Sequence, residues 1–175
     1  MITIKSNSHF FLTKLHLLLE QKNFAFISKK NEKYFSELNI IYNKNSTYLK
    51  FEGKSSNLNF PLRFDYLMNE IFKILSSYKI NFGSLIYWPI NETLSDGNKE
   101  IKLRNTHSII LSKIVLHNLC ISKDLLYKSI WPKEKSIQIN KLDTHLTNFK
   151  NFLFDEFKYK LNFKSSAGLL TFQAD

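Results

Sequence analysis

The stretch that decides the fold is 141-KLDTHLTNFKNFL-153, in a chain of 175 residues. Its apolar side chains recur at intervals of four, three and four residues: Leu142, Leu146, Phe149 and Leu153. This spacing places side chains on one side of an α-helix. It predicts a helix over about residues 139–157 that packs one apolar stripe on a core.

The opposite side of this predicted helix is polar. It carries a cation, a methyl-bearing hydroxyl, an imidazole and an amide, from Lys141, Thr144, His145 and Asn148. All four groups can contact phosphates or base edges in the major groove of DNA. Any solvent-exposed helix face is polar as well, so these residues alone do not indicate DNA binding. The order of the neighbouring elements is needed to tell a binding helix from an ordinary surface helix.

Two more helical patterns precede this one, over residues 106–119 and 122–131. Ser122 is a suitable N-cap for the second of them, and Asp124 in its first turn complements the positive end of the helix. A loop of about eight residues then leads to the third helix.

Strand patterns flank the three helices. Before them, alternating apolar residues from Phe82 onward and a turn at residues 95–98 predict a β-hairpin. After them, residues 161–164 and 169–172 are separated by a Ser-Ser-Ala-Gly turn, which predicts a second hairpin.

This order of hairpin, 121-ISKDLLYKSIW-131, loop, 141-KLDTHLTNFKNFL-153 and Gly-containing hairpin resembles the C-terminal effector domain of OmpR/PhoB-type response regulators. The resemblance covers about half of the chain. Asp143 and His145 stand where that family usually has Asp and His. The resemblance implies a winged helix-turn-helix domain over residues 80–175 that binds double-stranded DNA and regulates transcription.

The resemblance also implies roles for single residues. It assigns phosphate contacts to Lys141, His145, Thr147 and Lys150, and base-facing positions to Thr144 and Asn148. An asparagine can bond adenine through two hydrogen bonds, so we expect an A·T pair under Asn148. In the terminal hairpin, which is similar to the wing that lies along the minor groove, the DNA-binding positions are Lys164 and Ser165.

Departures from the family pattern concern charge. Asn148, Asn151 and Phe152 occupy positions where arginine or lysine is common, and Ser165 stands where the wing often has arginine. Fewer cations mean fewer phosphate contacts and a weaker dependence on salt. We therefore expect tight binding to need a dimer or a partner protein. His107 stands where the family often has Glu and is predicted to be a surface or capping residue.

The first 79 residues predict a separate α/β domain. A strand at residues 2–4 precedes a helix over 8–21, and strand patterns follow at 24–27, 38–42 and 47–51. A helix over 62–78 comes after Pro61. The expected order is β-α-β-β-β-α, give or take one strand, so the whole chain is predicted to combine an α/β and an α+β part.

This N-terminal order resembles a shortened receiver domain that has lost its chemistry. Residues 1–64 contain no Asp, Asn43 ends a predicted strand, and Phe60 precedes Pro61 where receivers place Lys. Phosphoryl transfer to an aspartate needs that aspartate, an acidic pair for Mg²⁺ and a lysine. We therefore expect no phosphoacceptor. The domain is predicted to form a homodimer through helix 62–78, which would match a repeated or palindromic DNA site, or alternatively to stabilise the effector domain.

Composition limits the other classes of protein. The net charge of +10 suits a polyanionic partner, although a chain rich in Asn, Lys, Ile and Phe acquires such a charge without selection for binding. No run of eighteen apolar residues and no signal peptide is present, so the sequence predicts a cytoplasmic protein without a membrane segment. The single cysteine, Cys120, excludes an internal disulfide and is predicted to be a small buried residue.

His9 and His16 lack the cysteines or paired carboxylates of a metal site, and no cofactor is expected.

Two hypotheses for the function follow. The first is a transcription regulator that binds DNA without being phosphorylated. The alternative is a protein-interaction module with little DNA binding of its own, in which residues 132–140 contact RNA polymerase or another regulator. An enzyme is not expected, because the sequence contains no Ser/His/Asp set, paired carboxylates, Gly-rich phosphate loop or metal-ligand set.

Overall fold

The computed structural model describes residues 2–21, 27–28 and 36–174. The chain divides into two compact units, Met1–Tyr78 and Lys79–Asp175, called here the N-terminal and the C-terminal unit. This division lies one residue from the boundary placed between residues 79 and 80 from the sequence. In the described part of the chain no helix is long and apolar enough to cross a membrane.

In the described residues of the N-terminal unit, five strands form one mixed sheet in the order β2-β1-β3-β4-β5. The strands are β1 (Ile2–Ser6), β2 (Ile27–Ser28), β3 (Ser36–Tyr42), β4 (Ser46–Phe51) and β5 (Lys54–Asn59), and the helices are α1 (His9–Gln21) and α2 (Phe64–Leu75). Strands β2 and β3 run parallel to β1, whereas β4 and β5 follow as antiparallel hairpin strands. The predicted strand 24–27 lies, apart from Ile27, outside the described residues.

Strand β5 was not predicted, because its sequence KSSNLN is polar except for Leu58. The backbone explains why it forms. Glu52 and Gly53 both have positive φ, of 44° and 79°, and join β4 to β5 as a two-residue hairpin turn. Leu58 alone is buried and points to the core.

Helix α2 covers the N-terminal sheet with an apolar side. Its buried residues are Leu67, Met68, Ile71, Ile74 and Leu75. The predicted helix is confirmed, although it begins at Phe64 and ends at Leu75, inside the predicted bounds of 62 and 78. Pro61 therefore lies before the helix and not in its first turn.

The C-terminal unit begins with four antiparallel strands in sequence order, β6 (Ile80–Phe82), β7 (Leu85–Trp88), β8 (Thr93–Ser95) and β9 (Glu100–Lys102). A four-stranded sheet with three antiparallel strand pairs thus stands where the sequence predicted one hairpin. The helices α3 (Asn105–Leu116), α4 (Lys123–Ile130) and α5 (Ile139–Phe157) follow. The chain closes with the hairpin β11 (Leu161–Ser166) and β12 (Leu169–Ala174).

A short strand, β10 (Cys120–Ser122), lies between α3 and α4 and was missed by the sequence analysis. Helix α3 ends at Leu116 and not at residue 119, because Asn118 and Leu119 have φ of 50° and 66° and turn the chain out of the helix. Strand β10 then pairs with β12, which gives a three-stranded sheet in the order β10-β12-β11. Cys120 is exposed and not buried as predicted, because alternation along β10 turns Ile121 to the core.

One hydrophobic cluster joins both sheets and the three helices of the C-terminal unit. The predicted stripe of α5 lies in its centre, with Leu142, Leu146, Phe149 and Leu153 buried. Burial of each such side chain is worth about 1.5–3 kcal/mol, so the stripe fixes the rotation of α5 about its axis. The opposite side of α5 is thereby turned to solvent.

Candidate functional site

The outer side of α5 is the most polar continuous surface that the predicted site residues form. Thr144, Thr147, Asn148 and Lys150 are all exposed on it, as the sequence predicted. Thr144 and Thr147 donate their hydroxyl hydrogens to the carbonyl oxygens four residues earlier, each over 2.9 Å. Their hydroxyl oxygens and methyl groups remain available outward. Lys158 caps the end of the helix: its left-handed backbone (φ 54°) lets the Lys158 N–H donate to the Phe154 carbonyl and the Tyr159 N–H donate to the Leu153 carbonyl.

Lys141 and His145 are half-buried and lie in a cluster around Trp131. The Lys141 ammonium lies 4.2 Å from the centroid of the Trp131 ring, and the His145 ring lies 5.1 Å from it. Lys141 also forms an ion pair with Glu134, to which Tyr127 donates a hydrogen bond. These five residues, Tyr127, Trp131, Glu134, Lys141 and His145, are called the Trp131 cluster.

Hydrogen bonding within the Trp131 cluster affects two acids. The hydrogen bonds from Lys141 and Tyr127 lower the pKa of Glu134, which keeps this carboxylate ionised. Burial and the hydrogen bond to Glu134 raise the pKa of Tyr127, which keeps the phenol protonated as the donor. The cluster therefore holds one cation of α5 against an anion of the preceding loop.

Asp143, the first acid of the LDTHL stretch, faces α4. Its carboxylate bonds Lys123 over 2.9 Å, and the Lys123 side chain is only 14% exposed. Ser122, one residue earlier, caps α4 by accepting a hydrogen bond from the Leu125 N–H, as predicted. The Asp143–Lys123 pair thus fixes α4 on α5. Because it faces α4, the Asp143 carboxylate is not part of the outer side of α5.

His107 was predicted as a surface or capping residue, and this is wrong. It is 9% exposed, and its ring centroid lies 5.3 Å from that of Phe149 and 4.9 Å from that of Phe152. Its Nδ1 is buried and has no hydrogen-bond partner among the described residues. Burial, and the electrostatic effects of Arg104 and His145, lower the pKa of His107. The reason for the error is packing: the two phenylalanines of α5 cover this position of α3.

A cleft of about 630 Å³ opens beside His107, between β9 and the start of α3 on one wall and α5 on the other. His145 and Asn148 line it together with Asn151. The cleft thus joins the outer side of α5. No local pattern predicts this cleft, because its two walls are about forty residues apart along the chain.

The other predicted positions, Lys164 and Ser165, are exposed on β11. Strands β11 and β12 are longer than expected, and only Ala167 and Gly168, both with positive φ, form the turn. The Lys123 N–H donates to the Gly168 carbonyl over 2.9 Å, which ties this turn to the start of α4. The hairpin is therefore anchored beside the first turn of α4.

The histidines of the N-terminal unit, His9 and His16, line one small depression on α1. Among the described residues no group of three His, Cys, Asp or Glu side chains could hold a metal ion. These two histidines carry no further argument.

No protein-family model and no curated protein sequence matches the chain.

Proposed function

We propose that the C-terminal unit is a winged helix-turn-helix domain that binds double-stranded DNA, and that the protein regulates transcription. The observation that carries this proposal is the placement of α5. Its apolar stripe is buried, its outer side exposes Thr144, Thr147 and Asn148, and it follows a capped helix, α4. An exposed helix after a short helix is the arrangement by which helix-turn-helix proteins enter the major groove.

In the proposed complex the exposed residues divide by chemistry. Thr144 and Asn148 face base edges, where the Asn148 amide can donate to and accept from adenine. Thr147, Lys150 and His145 contact phosphates, and Lys141 joins them when it leaves Glu134. The hairpin β11–β12 lies along the minor groove, where Lys164 and Ser165 contact the backbone.

The charge of α5 supports moderate binding by one subunit. Its cations are Lys141 and Lys150, and Lys141 is held in the Trp131 cluster. Affinity for DNA rises with the number of phosphates neutralised. A second subunit would double the number of contacts on a repeated or palindromic site.

For the N-terminal unit we propose a degenerate receiver-like domain that forms this dimer. Support comes from the parallel β1-α1-β2 arrangement and from the absence of Asp from residues 1–64, since Asp65 is the first Asp of the chain and forms an ion pair with Arg63. The antiparallel β4 and β5 depart from the mostly parallel sheet of doubly wound folds. Regulation would then not depend on phosphorylation.

We still propose α2 as the dimer surface, but through the exposed residues at its start and not through its apolar stripe. Its apolar stripe is buried in its own unit, whereas Phe64 and Tyr66 are 42% and 51% exposed at its start. These two aromatic residues are the part of α2 that a second copy can bury.

A second candidate function is the protein-interaction module. The observation that favours it is the Trp131 cluster, which reduces the free positive charge of α5 and orders the loop before it. In that function the exposed residues of this loop, with Ile139 at its end, contact RNA polymerase or another regulator.

Binding of the full chain to a random-sequence duplex library across salt concentrations separates the two functions. The DNA-binding proposal expects a selected sequence and an affinity that falls with salt. The variant K150Q should weaken binding, whereas the matched control K54Q removes an exposed lysine of β5 and should not. A salt dependence near zero with no selected sequence would contradict DNA binding and favour the interaction module.

A further inference from the structure

The cleft beside α5 has one basic and one acidic end. On one wall Lys102 and Arg104 lie at the end of β9 and before α3, and His145 and Asn148 face them from α5. Asp155 and Glu156 lie about two helical turns further along α5. The Glu156 carboxylate forms an ion pair with Lys99, so this acid is neutralised within the unit.

The two cations at the basic end are not used by the fold. Lys102 and Arg104 are exposed, and neither side chain forms a hydrogen bond or an ion pair with any residue that the structure describes. Three nearby lysines differ in this respect, since Lys99, Lys123 and Lys141 are each paired with an acid. Lys102 and Arg104 are therefore two unpaired positive charges beside α5.

The start of α3 adds unsatisfied donors at the same place. Arg104 is its N-cap residue and makes no side-chain cap, so the first amides of this twelve-residue helix lack such a partner. The N-terminal end of a helix favours anions, phosphate in particular. Independently, His107 lines the cleft as a buried imidazole whose Nδ1 has no partner among the described residues.

These features fit a phosphate diester track and not a closed pocket for a small anion. The cleft is open toward the outer side of α5, and its basic end shares His145 and Asn148 with the proposed DNA-binding surface. A phosphate strand that passes α5 on this side meets Arg104 and Lys102 next, whereas Asp155 limits the track at the other end.

We infer that Lys102 and Arg104 bind the phosphate backbone of the duplex that α5 enters, on the side of α5 lined by this cleft. The segment between the four-stranded sheet and α3 thus supplies cations that α5 lacks. This inference rests on the proposed DNA-binding function and names a phosphate site that neither α5 nor the terminal hairpin contains.

The test compares the full chain with the double variant K102Q/R104Q on the same random-sequence duplex library and on any selected site. Each lost phosphate contact reduces the slope of log affinity against log salt by about 0.9. We expect the slope to become shallower by about 1.8 and affinity at about 0.1 M salt to fall at least tenfold. The control K50Q/K54Q removes the same charge from exposed positions of β4 and β5 and should leave the slope unchanged.

Two further measurements keep the inference falsifiable. The exchange variant K102R/R104K retains both charges and should keep the wild-type slope, which separates charge from an effect on folding. The second measurement places neutral methylphosphonate linkages one at a time along a selected site. At one or two positions the linkage should lower the affinity of the wild type for the duplex but leave the affinity of K102Q/R104Q unchanged.

The outcomes distinguish the two proposals. If the wild type binds DNA but K102Q/R104Q has the slope and affinity of K50Q/K54Q, the phosphate site is overturned and the proposed function stands. If the wild type does not bind duplex DNA at any salt concentration, the proposed function is overturned and this inference with it.

Discussion

The Lys141 ammonium lies over the face of the Trp131 ring, 4.2 Å from its centroid, so a predicted phosphate contact is held by its own domain. Glu134 completes this arrangement as the anion paired with Lys141. A side chain that joins two partners in the free protein has to give up one of them to meet a phosphate. If α5 binds DNA as proposed, the Trp131 cluster should reduce its affinity.

Removing the charge of Glu134 should release Lys141. We expect E134Q to increase affinity for the selected duplex several-fold and to steepen the salt dependence by up to about 0.9, the contribution of one phosphate contact. Titrations at several salt concentrations measure both. The control E156Q removes the acid paired with Lys99 and should change affinity less. Equal slopes for E134Q and the wild type would show that Lys141 does not contact phosphate.

Breaking the half-buried Asp143–Lys123 pair should lower the stability of the protein without removing a residue that contacts DNA in the proposed complex. D143N removes the partner of a lysine that is 14% exposed, and we expect a destabilisation of about 1–2 kcal/mol. Urea denaturation at pH 7 measures it. The matched control D65N breaks an exposed pair with Arg63 and should cost about 0.5 kcal/mol or less. Similar losses for both variants would mean that the pair does not fix α4 on α5.

The buried imidazole of His107 predicts a dependence of stability on pH. Because its pKa is lowered in the folded protein, the unfolded chain binds a proton that the folded chain does not, once the pH falls below about 6.5. Stability contributed by the neutral imidazole is thus present above pH 6.5 and is lost as the pH falls from there toward the lowered pKa. H107L should flatten the free energy of unfolding over this range.

Denaturation curves between pH 7.5 and pH 5 test this prediction, with H9Q, which removes an exposed imidazole of α1, as the control. Part of the pH dependence should persist in H107L, because partial burial and Lys113 lower the pKa of His117 as well. Parallel pH profiles for H107L and the wild type would mean that His107 is protonated equally in the folded and unfolded chain.

The exposed aromatic residues of α2 predict the oligomeric state. If Phe64 and Tyr66 form the dimer contact, F64S/Y66S should shift the full chain from dimer to monomer in sedimentation experiments. The control I41S/Y42S alters an equally exposed apolar pair on β3 and should leave the dimer intact. A wild-type chain that is monomeric at the concentrations at which it binds DNA would exclude this dimer.

The parts of the fold that follow from local spacing could be predicted from the sequence. The stripe of α5 and the N-cap Ser122 each depend on residues a few positions apart, and both are confirmed. Strand β5 could not be predicted because its sequence is polar, and it forms by pairing with β4 across a tight turn. Strand β10 could not be predicted because it has only three residues, and it forms by pairing with β12, which is distant along the chain. Cys120 was misplaced for the same reason.

The candidate site also has a part that could be predicted from local spacing and a part that could not. Exposure of Thr144, Thr147 and Asn148 follows from the helical period once the apolar stripe is known. The partner of Lys141 and the burial of His107 depend on a loop and on a second helix, which no local pattern specifies. The place of Lys102 and Arg104 beside α5 could not be predicted either, because it depends on how β9 and α3 pack against α5.

Asn148 carries the prediction about sequence preference. Its amide is exposed near the middle of α5, and an asparagine that bonds adenine through two hydrogen bonds discriminates against other bases by about 1–3 kcal/mol. We expect N148A to lose, at one position of the selected site, a preference for A·T of roughly tenfold or more, while the salt dependence stays unchanged because no charge is removed. Binding to the four variants of that base pair measures the preference. The control T147A alters a neighbouring phosphate-facing residue and should weaken binding equally for all four. If N148A retains the wild-type order of affinities at every position, Asn148 does not read a base.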